Sequence, residues 1–273
     1  MKRGRLALAL ALLPTAVRSA PAAKVAEGPV ADAVRRGIAS GRGAFDHGAW
    51  GGLLARHVTD GRVDYAGFRQ HRADLDAYLA GVGRADLGSL SRQELLALLI
   101  NAYNACTVRV ILEGASGERL PASIRDLADP WGRKTCALGG ESVSLDTIGH
   151  GLLRPLFKDT RIHAAVNCAS KSCPPLASFA FRGDRVEEQL RERMEAMVNA
   201  ESHVRVEGRR LLSSKIFDWY GGDFADASWT DAAPSVAAYL LRHARPDFRK
   251  KIEALGPSPK TGFLDYDWSL NGT

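Results

Sequence analysis

The sequence predicts an α+β fold, a mostly helical single domain around a small mixed or antiparallel sheet. Three observations lead there. A capping pattern at Ser91-Arg92-Gln93-Glu94 opens an almost wholly apolar run from Leu95 to Leu112, the signature of one long buried helix. Amphipathic helical stripes precede and follow it, while strand-like segments are short and turn at glycines. Neither an internal repeat nor a low-complexity linker divides the chain, so residues 23–273 read as one globular domain.

Residues 1–22 are expected to be a secretory signal, the alternative being an uncleaved single-pass anchor, which the short apolar run disfavours. Lys2, Arg3 and Arg5 form a positive start, Leu6 to Leu13 is apolar but too short to span a bilayer, and Ala20-Pro21-Ala22 offers a cleavage site. Removing this segment takes away four cations and no acid, so the net charge falls from +6 to +2. The basic isoelectric point of 9.3 is thus partly a targeting feature. No Lys/Arg run remains to argue for nucleic acid, and no membrane span is expected after cleavage. The expected location is periplasmic or secreted. There the four cysteines, Cys106, Cys136, Cys168 and Cys173, meet oxidising conditions in which disulfides persist.

In chain order, Ala31 to Ile38 reads as a helix and Trp50, Leu53 and Leu54 begin another. Asp60-Gly61 is a turn, followed by a brief strand at Val63-Asp64-Tyr65 and a helix carrying Phe68, Leu75, Tyr78 and Leu79 on its core face. The long helix from Arg92 bears Asn101, Asn104 and Thr107, three apart and so on one stripe. Polar groups on a buried helix must be hydrogen-bonded, either to loop backbone or to a ligand. Arg109 and Glu113 form an i,i+4 pair on a solvated face.

Lys134 to Val143 reads as a hairpin turning at Gly139-Gly140. Ser144 then caps a short helix from Leu145 to Arg154, stopped by Pro155, with His150 and Arg154 on one face. Gly149 and Gly151 flank the histidine and weaken that helix by about 1 kcal/mol each, which points to close approach by backbone, ligand or a packed core contact.

Arg161 to Pro175 concentrates the chemically capable groups. Its first half alternates as a half-buried strand does, with Ile162, Ala164 and Val166 on one face and His163, Ala165 and Asn167 on the other. It then enters a loop holding Cys168, Lys171, Cys173 and Pro174-Pro175. Beyond it, Asp184-Arg185-Val186-Glu187 opens an amphipathic helix with Val186, Leu190, Met197 and Val198 on one stripe. His203 to Ser213 reads as a hairpin around Glu207-Gly208. Ile216 to Phe224, aromatic-rich and broken by Gly221-Gly222, is a packed lid or a corner of the core. Val236, Tyr239, Leu240 and His243 mark a last amphipathic helix, and alternation at Leu264, Tyr266 and Trp268 suggests a closing strand.

Four ordered blocks resemble one family. They are Ile100-Asn101-Ala102-Tyr103-Asn104-Ala105, then Ser144 to Arg154, then Arg161-Ile162-His163 leading to Cys168 and Ser172-Cys173-Pro174-Pro175, and finally Tyr266 to Asn271. Together they are similar to domain of unknown function 547, over most of the chain from Gly61 onward. The resemblance implies no established reaction, since the family is defined by sequence. One departure stands out. Members usually carry Glu before the histidine that matches His150, where this chain has Gly149.

Three chemistries fit the cysteine loop. In the first, Cys168 is a thiol nucleophile activated by a histidine, as in cysteine hydrolases and acyl transferases, with Lys171 lowering its pKa further. His163 and Cys168 are an odd number of residues apart and face opposite ways on a continuous strand. Either the strand breaks before Cys168 or His150 is the better base, and His163 with Asn167 then forms a separate hydrogen-bonding pair. In the second, a Cys168–Cys173 disulfide clamps the loop and leaves no nucleophile. In the third, His163, Cys168 and Cys173 bind zinc, although the spacing lacks the usual ligand pairs. HExxH, GxSxG, CxxC, P-loop and Rossmann motifs are all missing, so no cofactor or metal is expected.

The resulting expectation is an exported, enzyme-like domain with a cleft between the amide helix, the His150 helix and the cysteine loop. Cys168, His150 and His163 are the candidate catalytic residues. Asn101, Asn104, Arg154, Asn167 and Lys171 are the candidates for contacting an unidentified small-molecule or peptide ligand. The competing expectation is a non-catalytic ligand- or protein-binding domain with the same cleft stapled by Cys168–Cys173.

Overall fold

The computed structural model describes residues 24–273, so the segment expected to be a signal lies outside the described residues. Five helices come first: α1 (Pro29–Ser40), α2 (Gly48–His57), α3 (Tyr65–Gln70), α4 (Arg72–Gly83) and α5 (Arg92–Glu113). Between α2 and α3 lies a minimal antiparallel hairpin, β1 (Val58–Thr59) with β2 (Arg62–Val63). It turns at Asp60-Gly61, both in the left-handed region.

Helix α5 is the axis of the larger core. It is long and apolar enough to cross a membrane, but 94% of its most apolar window is buried by protein. Leu95, Leu98, Ile100, Val110 and Ile111 are fully enclosed. Ser91 caps the first turn by accepting from the Glu94 N–H. The reciprocal half of the expected capping box is missing, because the Glu94 carboxylate turns to His47 Nε2 at 2.9 Å and the Gly183 N–H at 3.2 Å.

The hairpin β3 (Cys136–Leu138) with β4 (Glu141–Val143) follows, turning at Gly139 and Gly140, both at positive φ. A Cys106–Cys136 disulfide ties it to α5. The helix expected over 145–154 is instead a π-helix, Thr147–Leu153, running into α6 (Arg154–Phe157). Pro155 falls in the first turn of α6 rather than ending the helix. A proline has no N–H to return to the preceding turn, and the wider π register just before it, in which Arg154 N–H bonds Gly149 O, accommodates that gap.

Residues 161–167 are not a strand. Thr160–Ala164 form a 3-10 helix, started by Asp159, whose carboxylate accepts from the Arg161 N–H at 2.9 Å. Every residue from Thr160 to Ala165 is buried, so the alternation there does not separate a wet face from a dry one. Helix α7 (Val186–Val198) then lies across α5 and the 3-10 helix. Its expected side-chain cap is absent, since Asp184 pairs with Arg182 and Glu187 with Arg161.

The remaining chain builds a second hydrophobic cluster. Its elements are β5 (Val204–Glu207), β6 (Arg210–Ser213), α8 (Lys215–Trp219), α9 (Gly221–Ala225), α10 (Val236–His243), α11 (Pro246–Glu253) and β7 (Lys260–Phe263). The three strands form a mixed sheet, β5 antiparallel to β6 and β7 parallel to it. Met194, Met197, Phe217, Phe224 and Tyr239 pack at its centre. The α+β architecture is thus present, with its sheets small and peripheral. After β7 the chain runs back irregularly and, rather than forming the expected strand, lays Ser269–Thr273 against the first core. There Leu270 N–H bonds Ala122 O at 2.8 Å and Thr273 N–H bonds Val63 O at 3.0 Å.

Candidate active site at the junction of the two cores

A cleft of about 430 Å³ opens where the two hydrophobic clusters meet. Tyr103, Leu153, Ile162 and Val166 line it from the first core, and Ile216, Trp219, Tyr220 and Tyr266 from the second half of the chain. Cys168, Cys173, His150, His163 and Arg154 all reach its wall, so the sequence-predicted catalytic residues converge on one place.

The cysteine loop is held by amides. Asn104 Nδ2 donates to Ala165 O at 2.9 Å and its Oδ1 accepts from Asn167 N–H at 2.8 Å. Asn101 clamps Phe181 in the same two-handed way, at 2.8 and 3.0 Å. Thr107 bonds only its own helix, at Tyr103 O. Asn167 donates to Pro174 O, accepts from Ala169 N–H, and accepts from Asn271. The expected His163–Asn167 pair does not form. Lys171 is exposed, and its backbone N–H bonds Ser269 O.

Within this frame the two thiols face each other. Cys168 and Cys173 are free, with Sγ atoms 2.7 Å apart, and the Cys168 N–H donates to Cys173 Sγ at 2.9 Å. Ser170 Oγ and Tyr266 OH each lie 3.3 Å from Cys168 Sγ and 3.0 Å from one another. The hydrogen bond from Cys173, helped by Ser170 and Tyr266, outweighs burial and brings the Cys168 pKa down to about 7. Burial, and then the Cys168 thiolate, push the Cys173 thiol up. The expected depression of Cys168 is therefore present but comes from neutral donors rather than from Lys171.

The histidines belong to a separate polar group centred on Asp223. Its Oδ2 meets His163 Nε2 at 2.9 Å, and Arg154 grips both oxygens at 2.8 and 2.9 Å. Burial would raise the Asp223 pKa, but hydrogen bonds from His163 and Arg154 overcome it and hold the carboxylate below its usual range. Burial lowers the His163 pKa despite Asp223, so at neutral pH the ring is uncharged. His163 stacks on Tyr220 with centroids 4.3 Å apart, and Arg154 lies 4.9 Å from the same ring. His150 is less enclosed. Burial, then the nearby Arg154, bring its pKa to about 4. Its Nδ1 is 3.3 Å from Arg154 Nη1 and its Nε2 4.0 Å from Asp146. Neither histidine hydrogen-bonds a cysteine.

Residues 87–198 match the family model described as protein of unknown function, DUF547. The matched DUF547 segment runs from α5 through the cysteine loop to the end of α7, and so includes three of the four resembling blocks. The fourth, with Tyr266, lies beyond it, as does Asp223. No curated protein and no solved structure matches the chain. Gly149 sits against Tyr103, whose ring would be 3.3 Å from an added Cβ.

Asp223, Tyr266 and Ser170 are the site residues that sequence reasoning missed. Asp223 lies in the aromatic, glycine-broken stretch read as a lid or corner, and an acid amid so many aromatics was the available signal. The corrected roles of 161–167 also remove the argument that His163 and Cys168 face opposite ways. That parity holds only on a strand.

Proposed function

We propose that this cleft is the active site of a cysteine-dependent hydrolase or acyl transferase, with Cys168 as nucleophile. The observation that carries the reading is a cleft-lining thiol ionised near neutral pH by three hydrogen-bond donors, without a histidine partner. The thiolate attacks an acyl carbon, the acyl–leaving-group bond breaks, the leaving group takes a proton from solvent, and a thioester forms on Cys168. His163, uncharged and oriented by Asp223 through Nε2, then serves as the base that takes a proton from water or another acceptor as the thioester is cleaved. Arg154 fixes Asp223 in turn. A cleft of this size and aromatic lining suits a small-molecule or peptide ligand.

Export to a periplasmic or extracellular location is part of the same proposal, supported by the amino-terminal signal pattern and the Cys106–Cys136 disulfide. A second reading, a binding domain stapled by Cys168–Cys173, is favoured by the 2.7 Å sulfur separation. The deciding experiment exposes mildly reduced, folded protein to a chromogenic phenyl ester. The expected result is a burst of phenol with an acyl adduct on Cys168 by mass spectrometry, lost in Cys168→Ser. An unmodified Cys168 in reduced, folded protein at pH 8 overturns the nucleophile and leaves the stapled domain.

A further inference from the structure

We infer that Cys168 and Cys173 also form a thiol–disulfide exchange pair, Cys168 attacking and Cys173 resolving, that takes as substrate an organic disulfide admitted by the aromatic cleft. This rests on Cys168 being a nucleophile, as proposed above, but not on acyl chemistry.

The geometry is that of a working pair rather than of two unrelated thiols. The sulfurs are already 2.7 Å apart in a loop tied down by Asn104, Asn167 and Asn271, so only a short further approach separates them from a disulfide. Access is unequal. Both thiols reach the cleft wall, but Cys168 is half-buried and Cys173 only 6% exposed, so an incoming disulfide meets Cys168 more readily. The Cys168 N–H donates to Cys173 Sγ and stabilises negative charge there when Cys173 becomes the attacking thiolate. The depressed Cys168 pKa and raised Cys173 pKa follow the same order of attack.

The other cysteine pair provides the contrast within one molecule. Cys106 and Cys136 are joined, both enclosed by the first core at 0% and 1% exposure, and neither lines the cleft that Cys168 and Cys173 reach. That pair is sealed from exchange, whereas Cys168–Cys173 is presented at an opening. Trp131, Trp219, Tyr220, Tyr266 and Trp268 around that opening offer flat apolar surface to the groups flanking a disulfide.

The reaction balances without another reactant. The Cys168 thiolate attacks one sulfur of the substrate, the substrate S–S bond breaks, and the first thiolate leaves and takes a proton from solvent. Cys173 loses its proton to solvent and attacks Cys168 Sγ, expelling the second thiolate. Two protein thiols are oxidised to a disulfide, and one substrate disulfide is reduced to two thiols. A dithiol reductant reverses the change and allows turnover.

The test uses the full chain, mildly reduced so that Cys106–Cys136 stays intact by mass, and the neutral aromatic disulfide 4,4′-dithiodipyridine. Wild type should release two thiopyridones per molecule and finish two hydrogens lighter, with no adduct. Cys173→Ser should release one and retain a pyridylthio group on Cys168, while Cys168→Ser should react slower by about 100-fold. The oxidised wild type should then be reduced by glutathione with its circular dichroism unchanged. Wild type that stops at one equivalent with a stable adduct overturns the inference, as does an oxidised pair that glutathione reduces only on unfolding. Acylation of Cys168 by the ester probe in Cys173→Ser is unaffected by either failure, so the exchange and acyl-transfer readings fall separately.

Discussion

Replacing Asn104 by leucine tests how the cysteine loop is held. The amide makes two buried hydrogen bonds, to Ala165 O and from Asn167 N–H, and is 3% exposed. Leucine is close in volume but leaves one carbonyl and one N–H buried without those partners, each costing about 1–3 kcal/mol. Some relaxation and water entry reduce the sum, so a loss of about 2–4 kcal/mol is expected. Urea unfolding followed by fluorescence should show the midpoint fall by about 1 M at a slope of roughly 3 kcal/mol per molar. Thr107→Val serves as a control on the same helix face. Its hydroxyl bonds only a carbonyl of its own helix, and it should cost less than about 1 kcal/mol. The loosened loop should also let an alkylating reagent reach Cys173 in native buffer, which wild type resists. An Asn104→Leu midpoint equal to that of Thr107→Val would refute the argument that the amide carries the loop.

Tyr266→Phe removes one donor from Cys168 while keeping the ring, so the pH midpoint of Cys168 alkylation should rise from about 7 toward the free-thiol value of about 8.5. An unmoved midpoint would show that the tyrosine does not support the thiolate. Burial lowers the pKa of His150, His163 and His203 in the folded state, so the unfolded chain binds more protons once pH drops through about 6.5. Stability from these groups is full above that pH and falls below it, down to about 4 for His150. Urea midpoints at pH 7.5 and 5.5 should differ in that direction, and His163→Gln should shrink the difference. Equal midpoints would count against the buried, neutral histidines.

The sequence pattern was most legible where one physical cause dominates. Helix α5 needs only its continuous apolar surface and Ser91, and both hairpins need only glycines able to take positive φ at 139, 140 and 208. The polar stripe on α5 was readable as an obligation to bond, though not as bonds to Phe181, Ala165 and Asn167, because those partners are 61 to 80 residues away. The segment 161–167 misled for a related reason. Alternation signals a strand only if one face is wet, and here the fold buries both. Capping rules failed at Glu94 because a tertiary partner, His47, takes its carboxylate, and at Asp184 because the nearby Arg182 does. Nothing local in the chain could announce that Asp223 would meet His163 or that Cys106 would join Cys136.

The site's rigidity has an origin that regular secondary structure does not supply. From Ala165 to Pro175 the backbone belongs to no helix or sheet, yet its buried polar groups must be paired. Three asparagines do what a neighbouring strand ordinarily does. Asn104 spans Ala165 and Asn167, Asn167 closes on Pro174 and Ala169, and Asn271 reaches Asn167 from the chain's far end. Backbone bonds from Lys171 to Ser269 and from Asn271 to Ala169 complete the frame. A sheet would have fixed the loop but sent alternate side chains to opposite faces. Amide ties fix it while leaving Cys168, Ser170 and Cys173 free to gather about one point, with Tyr266 brought in by the same carboxy-terminal segment. The sulfurs are therefore positioned before any ligand arrives, and binding need not supply the cost of ordering them.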